Sequence, residues 1–394
     1  MSNIPKLRFP EFSVEWEEKK LSDFMTRLTR KNSNNESSRA LTISSVDGLI
    51  DQGEFFKKQI ASKDTSGYYL LKKGDFAYNK SYSVGYDYGS IKRLDRYEDG
   101  VVSTLYICMT LTSDTNSDYL THYFDSMKWN KSVSEISAEG ARNHGLLNIP
   151  TESFFQTKHY LAPTLAEQQK IADFLSNVDS IITAETKILN TLQKKKKALM
   201  QKLFTQQLRF KSDDGTDFPA WEEKKLGECV EILDSQRKPI ESKERANRKG
   251  EYPYYGASGI IDYIDDYLFE GESILLGEDG ANIINRNSRL AFIATGKYWV
   301  NNHAHIMKAN ADNLNYFICE YLESLDYSKI CAGSAQPKLT QDVIRNLTIK
   351  APCKAEQQKI ADCLSSMDSL IQNQQKVVTA WQQRKKALLQ QMFI

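Results

Sequence analysis

Two stretches of the chain place apolar residues at alternating steps of four and three. In the first, Ile171, Leu175, Val178, Ile182, Leu189, Leu192, Leu199 and Leu203 fill eight of ten such positions, with Glu185 and Lys196 in the other two. The second repeats the pattern with Ile360, Leu364, Met367, Ile371, Val378, Trp381, Leu388 and Met392, and with Gln374 and Lys385 in the polar slots. A period of 3.5 predicts two amphipathic helices, each about 40 residues and roughly 60 Å long, whose stripes suit a coiled coil. Thr164, with Glu167 three residues on, reads as a capping box for the first helix; Cys353 stands at the matching place in the second. Neither stripe can stay in water, so each helix is the natural partner of the other. Separate packing of each helix on its own domain is the simpler alternative.

Elsewhere the pattern shortens. Runs such as Val101 to Ile107 and Leu290 to Ala294 read as strands between Gly and Asn/Asp turns, and Asp118 to Met127 and Asn313 to Leu325 read as helices. The expected class is α+β.

The chain is also an internal duplication. Trp16-Glu17-Glu18-Lys19-Lys20-Leu21 recurs at Trp221 to Leu226, and Ala166-Glu167-Gln168-Gln169-Lys170-Ile171-Ala172-Asp173 recurs at Ala355 to Asp362. The second match continues without gaps, pairing Asp179 with Asp368, Ala198 with Ala387 and Phe204 with Phe393. Between these anchors the copies differ. The expected organisation is a domain over 1–160, a long helix over 161–211, a second domain over 212–350 and a second helix over 351–394, with pseudo-two-fold symmetry.

Composition narrows the class. The 394 residues are 40% hydrophobic and 26% charged, with no run long enough to span a membrane and no signal-peptide pattern at Met1 to Pro5. Six scattered cysteines form no CxxC pair, which points to a reducing, cytoplasmic setting. The net charge of +1 gives no hint of nucleic acid, but its distribution does. Eight Lys/Arg and no acid lie between Lys187 and Lys211, consistent with a solvated helix face or with phosphate or partner contact.

Catalytic motifs are missing. No phosphate-binding GxxxxGK[ST], no GxGxxG and no Asn-Pro-Pro-Tyr or Asp-Pro-Pro-Tyr occurs. His303-Ala304-His305 lacks a third metal ligand, so hydrogen-bonding roles are favoured and no metal site is assigned. Glu17-Glu18-Lys19 has no partner aspartate for nuclease chemistry and reads as an exposed charged turn. What remains is a set of polar loops whose residue types suit base edges in a DNA groove. The candidates in the first domain are Tyr78, Asn79, Lys80 and Ser81 with Arg142, Asn143 and His144. Those in the second are Tyr255, Ser258, Asn301, Asn302, His303, Ser334, Gln336 and Lys338. Such loops are also ordinary turns.

These features together resemble the specificity subunit of type I restriction–modification systems. The resemblance rests on three features. They are the Phe-Pro-x-Phe…Trp-Glu-x-x-x-Leu segments (Phe9 to Leu21, and Phe218 to Leu226 with a shortened spacer), the Pro-x-x-x-Glu-Gln-x-x-Ile helix starts (Pro163 to Ile171, Pro352 to Ile360), and Gly-Ser-Ala-Gln-Pro-Lys-Leu at 333–339. Gly140 to Leu146 is a looser match to that last loop, without its Gln-Pro-Lys core. The resemblance implies two mixed α/β target recognition domains joined by a long antiparallel two-helix coiled coil. It implies that each domain reads one half of a bipartite double-stranded DNA target and that the helices set the spacing. It further implies a non-catalytic scaffold for two modification subunits, which methylate adenine, and for restriction subunits. S-adenosylmethionine, ATP and Mg would belong to those partners, with no cofactor on this chain. The contrasting expectation is a duplicated coiled-coil adaptor that binds only proteins.

Overall fold

The computed structural model describes residues 3–56, 61–112, 114–137, 147–331 and 337–394. It divides into two units, Met1–Thr186 with Lys376–Ile394, and Lys187–Gln375.

In the first unit, the strand Glu17–Lys20 pairs antiparallel with Lys158–Leu161, so the segments entering and leaving the domain are tied together. The expected charged turn at Glu17-Glu18-Lys19 is therefore a strand. Its charged side chains tolerate the position because they are largely exposed, with Glu18 paired to Lys158. The domain core is an antiparallel sheet in the order Met25–Arg27, Ile107–Leu111, Phe76–Asn79, Ser90–Arg93. Two further antiparallel pairs accompany it, the hairpin Leu41–Ser44 with Gly48–Asp51, and Tyr69–Lys72 with Asp99–Val102. The run Val101 to Ile107 is thus not one strand. It breaks at a turn in which Tyr106 N–H donates to the Ser103 carbonyl, and the Ser103 hydroxyl accepts Leu105 N–H. The helix Ser117–Asp125 packs with the sheet in one core, and Ile171, Ala172, Leu175, Leu389, Met392 and Phe393 join that same core.

The second unit uses the same plan. Glu222–Lys225 pairs with Thr348–Ala351, and the central sheet runs Val230–Ile232, Ala304–Ala309, Ser273–Gly277, Ala291–Ala294. A second sheet contains Gly259–Ile264, Lys249–Gly256, Lys297–Val300 and Phe269–Glu270, with one parallel pair. Its helix Asn315–Ser324 shares a core with Met200, Leu203, Ile360 and Leu364. The expected helices at 118–127 and 313–325 are both present, shifted by one to two residues. Two domains with unlike sequences therefore keep one strand order in their central sheets.

The long helices span Leu165–Phe204 and Lys354–Met392, inside the expected 161–211 and 351–394. All ten heptad positions of each helix are buried or half-buried, while Lys187, Lys194, Lys195, Lys197 and Lys202 are exposed. Antiparallel pairing appears inside each unit. In the first, Lys385 Nζ lies 2.7 Å from Asp179, and Leu7 N–H donates to the Gln391 carbonyl at 2.9 Å. In the second, Lys196 Nζ lies 2.6 Å from Asp368. Asp179 and Asp368 are repeat equivalents, as are Lys196 and Lys385. The two polar heptad slots held by lysine are thus one ion pair used twice, the kind of buried polar contact that fixes register.

The repeated helix-start motif forms a joint. The Glu167 carboxylate is buried and accepts Arg8 through two hydrogen bonds of 2.7 and 2.8 Å and the Trp16 indole N–H at 3.1 Å. Glu356 repeats this with Arg209 at 3.1 and 2.7 Å and Trp221 at 3.1 Å. The next residue also repeats its role. Gln168 accepts Asn116 N–H, and Gln357 accepts Leu314 N–H, each at the start of the domain's helix. This corrects the expected capping box. Thr164 does accept Glu167 N–H at 3.2 Å, but the glutamate carboxylate turns to the arginine and tryptophan. A bidentate guanidinium with an indole is a stronger partner than one backbone N–H.

A buried histidine gives the first unit a pH signature. Thr157 Oγ1 donates to the Phe154 carbonyl, so it accepts His159 Nε2–H at 2.8 Å, leaving Nδ1 to accept the Tyr123 hydroxyl at 2.9 Å. Burial pushes this imidazole down to about 3. The unfolded chain then binds the extra proton first, so this stability is present above the ordinary histidine pKa and is lost as pH falls. Between pH 6.5 and 5 the loss should be roughly 1.5 kcal/mol. Urea titrations of the wild type and His159→Gln check this: the variant should be weaker at pH 7 but lack that part of the slope. Equal slopes would assign the acid sensitivity elsewhere.

Candidate nucleic-acid interface

In the second domain the strand Ser273–Gly277 delivers the chain into the loop Glu278 to Ala281, and three other loops are tied beside it. Leu339 N–H donates to the Glu278 carbonyl at 2.8 Å, and Glu278 N–H donates to the His303 carbonyl at 2.8 Å. Asn301 N–H donates to the Tyr255 carbonyl at 3.0 Å, and a Cβ on Gly277 would stand 2.6 Å from the Ala257 carbonyl oxygen. The loops at 255–258, 278–281, 301–303 and 337–339 therefore share one place.

Their side chains divide between surface and support. Ser258, Asn302, His303 and Lys338 are exposed; His303 Nδ1 lies 2.9 Å from Asp279, and Lys338 Nζ 3.3 Å from Glu278. Tyr255 is half-buried against Phe292 and Tyr298, and Asn301 is buried, its Oδ1 accepting His303 N–H at 2.8 Å. Both contribute to the packing and shape of these loops. Beneath them lies a buried network in which the sequence had singled out only His305. His305 bonds Asp234 at 2.5 Å and the Leu339 carbonyl at 2.7 Å, and Arg237 bonds Glu278 at 2.9 Å. Both ring nitrogens of His305 are engaged, in keeping with the favoured hydrogen-bonding role, and no cluster of three metal-ligating side chains exists among the described residues.

The first domain has the same arrangement in outline. Leu147 N–H donates to the Lys80 carbonyl at 3.0 Å, the counterpart of Leu339 on Glu278. This shifts the loop match by one: Leu147, and not Leu146, stands where Leu339 does. Tyr78 needs correction as a surface candidate. It is fully buried, stacked on Phe154 and edge-on to Trp129, with its hydroxyl donating to the Tyr88 carbonyl. It belongs to the core because its strand is covered on both faces, Phe76 and Tyr78 joining one cluster and Ala77 another. Asn79 Oδ1 accepts Ser81 N–H at 3.0 Å and shapes the turn. Lys80 and Ser81 are half-buried, and burial lowers the Lys80 ammonium pKa. At the equivalent backbone position one domain thus carries Lys80 and the other Glu278. Arg142, Asn143, His144, Ser334 and Gln336 lie outside the described residues.

Of the helix residues proposed as spacer and partner contacts, Ile171, Leu175, Val178, Leu189, Ile360, Leu364 and Val378 are buried. Ile182, Leu192, Met367, Ile371 and Trp381 are half-buried. The basic cluster is partly absorbed: Lys196 pairs with Asp368 and Glu320, Arg209 with Glu356 and Lys211 with Asp217.

Each domain is latched to the start of a long helix, and each carries an equivalent loop contact, Leu147 on Lys80 and Leu339 on Glu278. Known proteins share parts of this sequence and its fold. Residues 220–380 match the type I restriction modification DNA specificity domain. A candidate type I restriction enzyme specificity subunit of Haemophilus influenzae is 34% identical over 147 residues, which is 37% of each chain. A second candidate specificity subunit, MjaX of Methanocaldococcus jannaschii, is 25% identical over 418 residues, covering 98% of this chain and 95% of its own. The crystal structure of a type I restriction–modification S subunit from M. genitalium covers 99% of both chains with a TM-score of 0.58 at 14% identity, a likeness of fold. The chain is thus similar in part of its sequence to the DNA specificity domain of type I restriction–modification systems, and its fold is like that of an S subunit. No helix among the described residues is long and apolar enough to cross a membrane.

Proposed function

We propose that this chain reads a bipartite double-stranded DNA target, one half-site per domain, and carries two modification subunits, with restriction subunits joining the same assembly. The observation that carries the reading is the pair of equivalent loop platforms, Leu147 on Lys80 and Leu339 on Glu278, built on one strand order from dissimilar sequences. A duplicated reader suits a two-part site as a symmetric dimer suits a palindrome. Specificity would come from exposed loop residues such as Lys338, and from Arg142 in the first domain.

Charge supports dependence on partners. Residues 20–150 hold 17 Lys/Arg against 16 Asp/Glu, and residues 226–345 hold 13 against 18. Phosphate neutralisation supplies most non-specific affinity, so the chain alone should bind DNA weakly. The long helices offer a docking face. Ile181 and Ile188 are exposed one heptad apart on the first, and Leu370 and Val377 are exposed at the repeat-equivalent positions of the second. Two equivalent stripes fit two copies of one partner.

Mapping of methylated positions in cells carrying this subunit with its modification subunits tests the reading. Exchanging residues 22–155 for those of a relative should change one half-site and leave the other intact. A swap that alters both halves, or tight sequence-specific binding by the pure chain at physiological salt, would contradict it. Arg142→Ala should relax reading of the first half-site and Lys338→Ala the second, by roughly 1–3 kcal/mol for a direct base contact. Unchanged patterns in both would mean that these loops are only turns. A protein-only adaptor would show no DNA shift with or without modification subunits.

A further inference from the structure

The first domain presents an apolar feature beside its candidate reading loop. Val46, in the turn between Leu41–Ser44 and Gly48–Asp51, is 83% exposed, and Val84 is 91% exposed. These are the two most exposed of the large apolar residues among those described. The two tips are tied together. Ser45 Oγ lies 3.1 Å from Ser83 Oγ and 3.2 Å from Ser90 Oγ, so the residue before each valine anchors one loop to the other. Each tip is also held in shape. Ser83 and Tyr86 exchange backbone hydrogen bonds around Val84 and Gly85, and Gly85 takes φ +81°. Ser44 Oγ donates to Asp47 and accepts Asp47 N–H, and Gly48 takes φ +82°. Both glycines are needed there, because other side chains rarely adopt that backbone. Tyr82 flanks the pair and is half exposed.

A single exposed valine needs no explanation. Two of them, on separate turns braced by a chain of hydroxyls, form a prepared apolar surface. It belongs to the loop that begins at Asn79 and Lys80, the one to which Leu147 is bonded. Valine has no donor or acceptor, so it cannot read a hydrogen-bond pattern. The one apolar group on a base edge in the major groove is the C5-methyl of thymine.

We propose that Val46 and Val84 form a methyl-reading contact that selects thymine in the first half-site. The proposal rests on the reading above, that this domain binds DNA, and adds what it recognises there. The matching loop of the second domain begins with Glu278 and Asp279 and exposes Ile284 instead, so the proposal concerns the first half-site alone.

Deoxyuridine, which lacks only the C5-methyl, is the probe. The full subunit with its modification subunits is titrated with duplexes in which each thymine of the mapped target, on either strand, is replaced in turn. At least one replacement in the first half-site should weaken binding about three- to five-fold, the worth of one buried methyl. The effect should vanish in Val84→Ser or Val46→Ser, which are surface changes with little effect on folding. Indifference of the wild type to every replacement in the first half-site would overturn the proposal, as would a first half-site without thymine. Equal sensitivity in both serine variants would also overturn it. Absence of any sequence-specific binding would instead sink the underlying reading of the domain.

Discussion

Replacing Lys196 with Met should destabilise the second unit by about 3–5 kcal/mol, whereas Lys385→Met at the equivalent slot should cost about 1 kcal/mol or less. The residues are the same repeat position, and their surroundings differ. The Lys196 side chain is 7% exposed and lies 2.6 Å from Asp368 and 2.9 Å from Glu320, which is itself only 2% exposed. Removing the ammonium leaves the buried Glu320 carboxylate beside that of Asp368, which is 25% exposed. Arg289 still pairs with Glu320, and Tyr316 still donates to Asp368, so the loss is large but bounded. Lys385 is 19% exposed, and its partners Asp179 and Asp125 are 39% and 22% exposed, so water takes over much of their charge. Urea unfolding of the full chain, followed by a probe in each unit, measures both variants. Combining Lys196→Met with Asp368→Asn should restore part of the stability, because the Asp368 charge is then gone and Glu320 keeps Arg289 as its partner. Equal costs at the two slots would show that the pairs do not differ in burial as described.

Adding one heptad to each long helix should move the half-sites about three base pairs further apart while leaving their sequences unchanged. Asp179 and Lys196 are separated by the same number of residues as Asp368 and Lys385. Matched insertions after Lys187 and after Lys376 therefore preserve both ion pairs, both joints at Glu167 and Glu356, and the apolar period. Seven residues lengthen a helix by about 10 Å, and one base pair rises about 3.4 Å. Methylation mapping of the variant reads the spacing directly, with helicity and unfolding checked first. A folded, active variant that keeps the original spacing would show that the helices do not set it.

The repeat was legible because its residues do the same work twice. Glu167 and Glu356 each hold an arginine and a tryptophan, so neither copy could drift, and the identity survives as an eight-residue match. The heptads were legible for the same reason, since every position in them is at least half-buried. What those identities were for was not legible. Glu167 looked like half of a capping box, because the arginine that claims it lies 159 residues away in sequence.

The candidate site was legible only in part. Loop composition pointed to three segments of the second domain, and their described parts do meet. It could not separate an exposed Lys338 from a buried Asn301 or a core Tyr78, because polar and aromatic residues serve turns, cores and surfaces alike. The supporting Asp234 and Arg237 carry no local signature, and nothing in the neighbouring sequence marks Val46 and Val84.

Local pattern alone determined the two long helices, the duplication and the α+β class of the domains, because periodicity and repeated contacts leave a trace at short range. Tertiary structure decided that two unlike domains share one strand order, that the heptad lysines are equivalent ion pairs, and which loop residues face water. The reason is physical. A strand's place in a sheet and a side chain's exposure depend on partners far along the chain, as Leu339 on Glu278 and Lys196 on Asp368 do, and no window of neighbouring residues contains them.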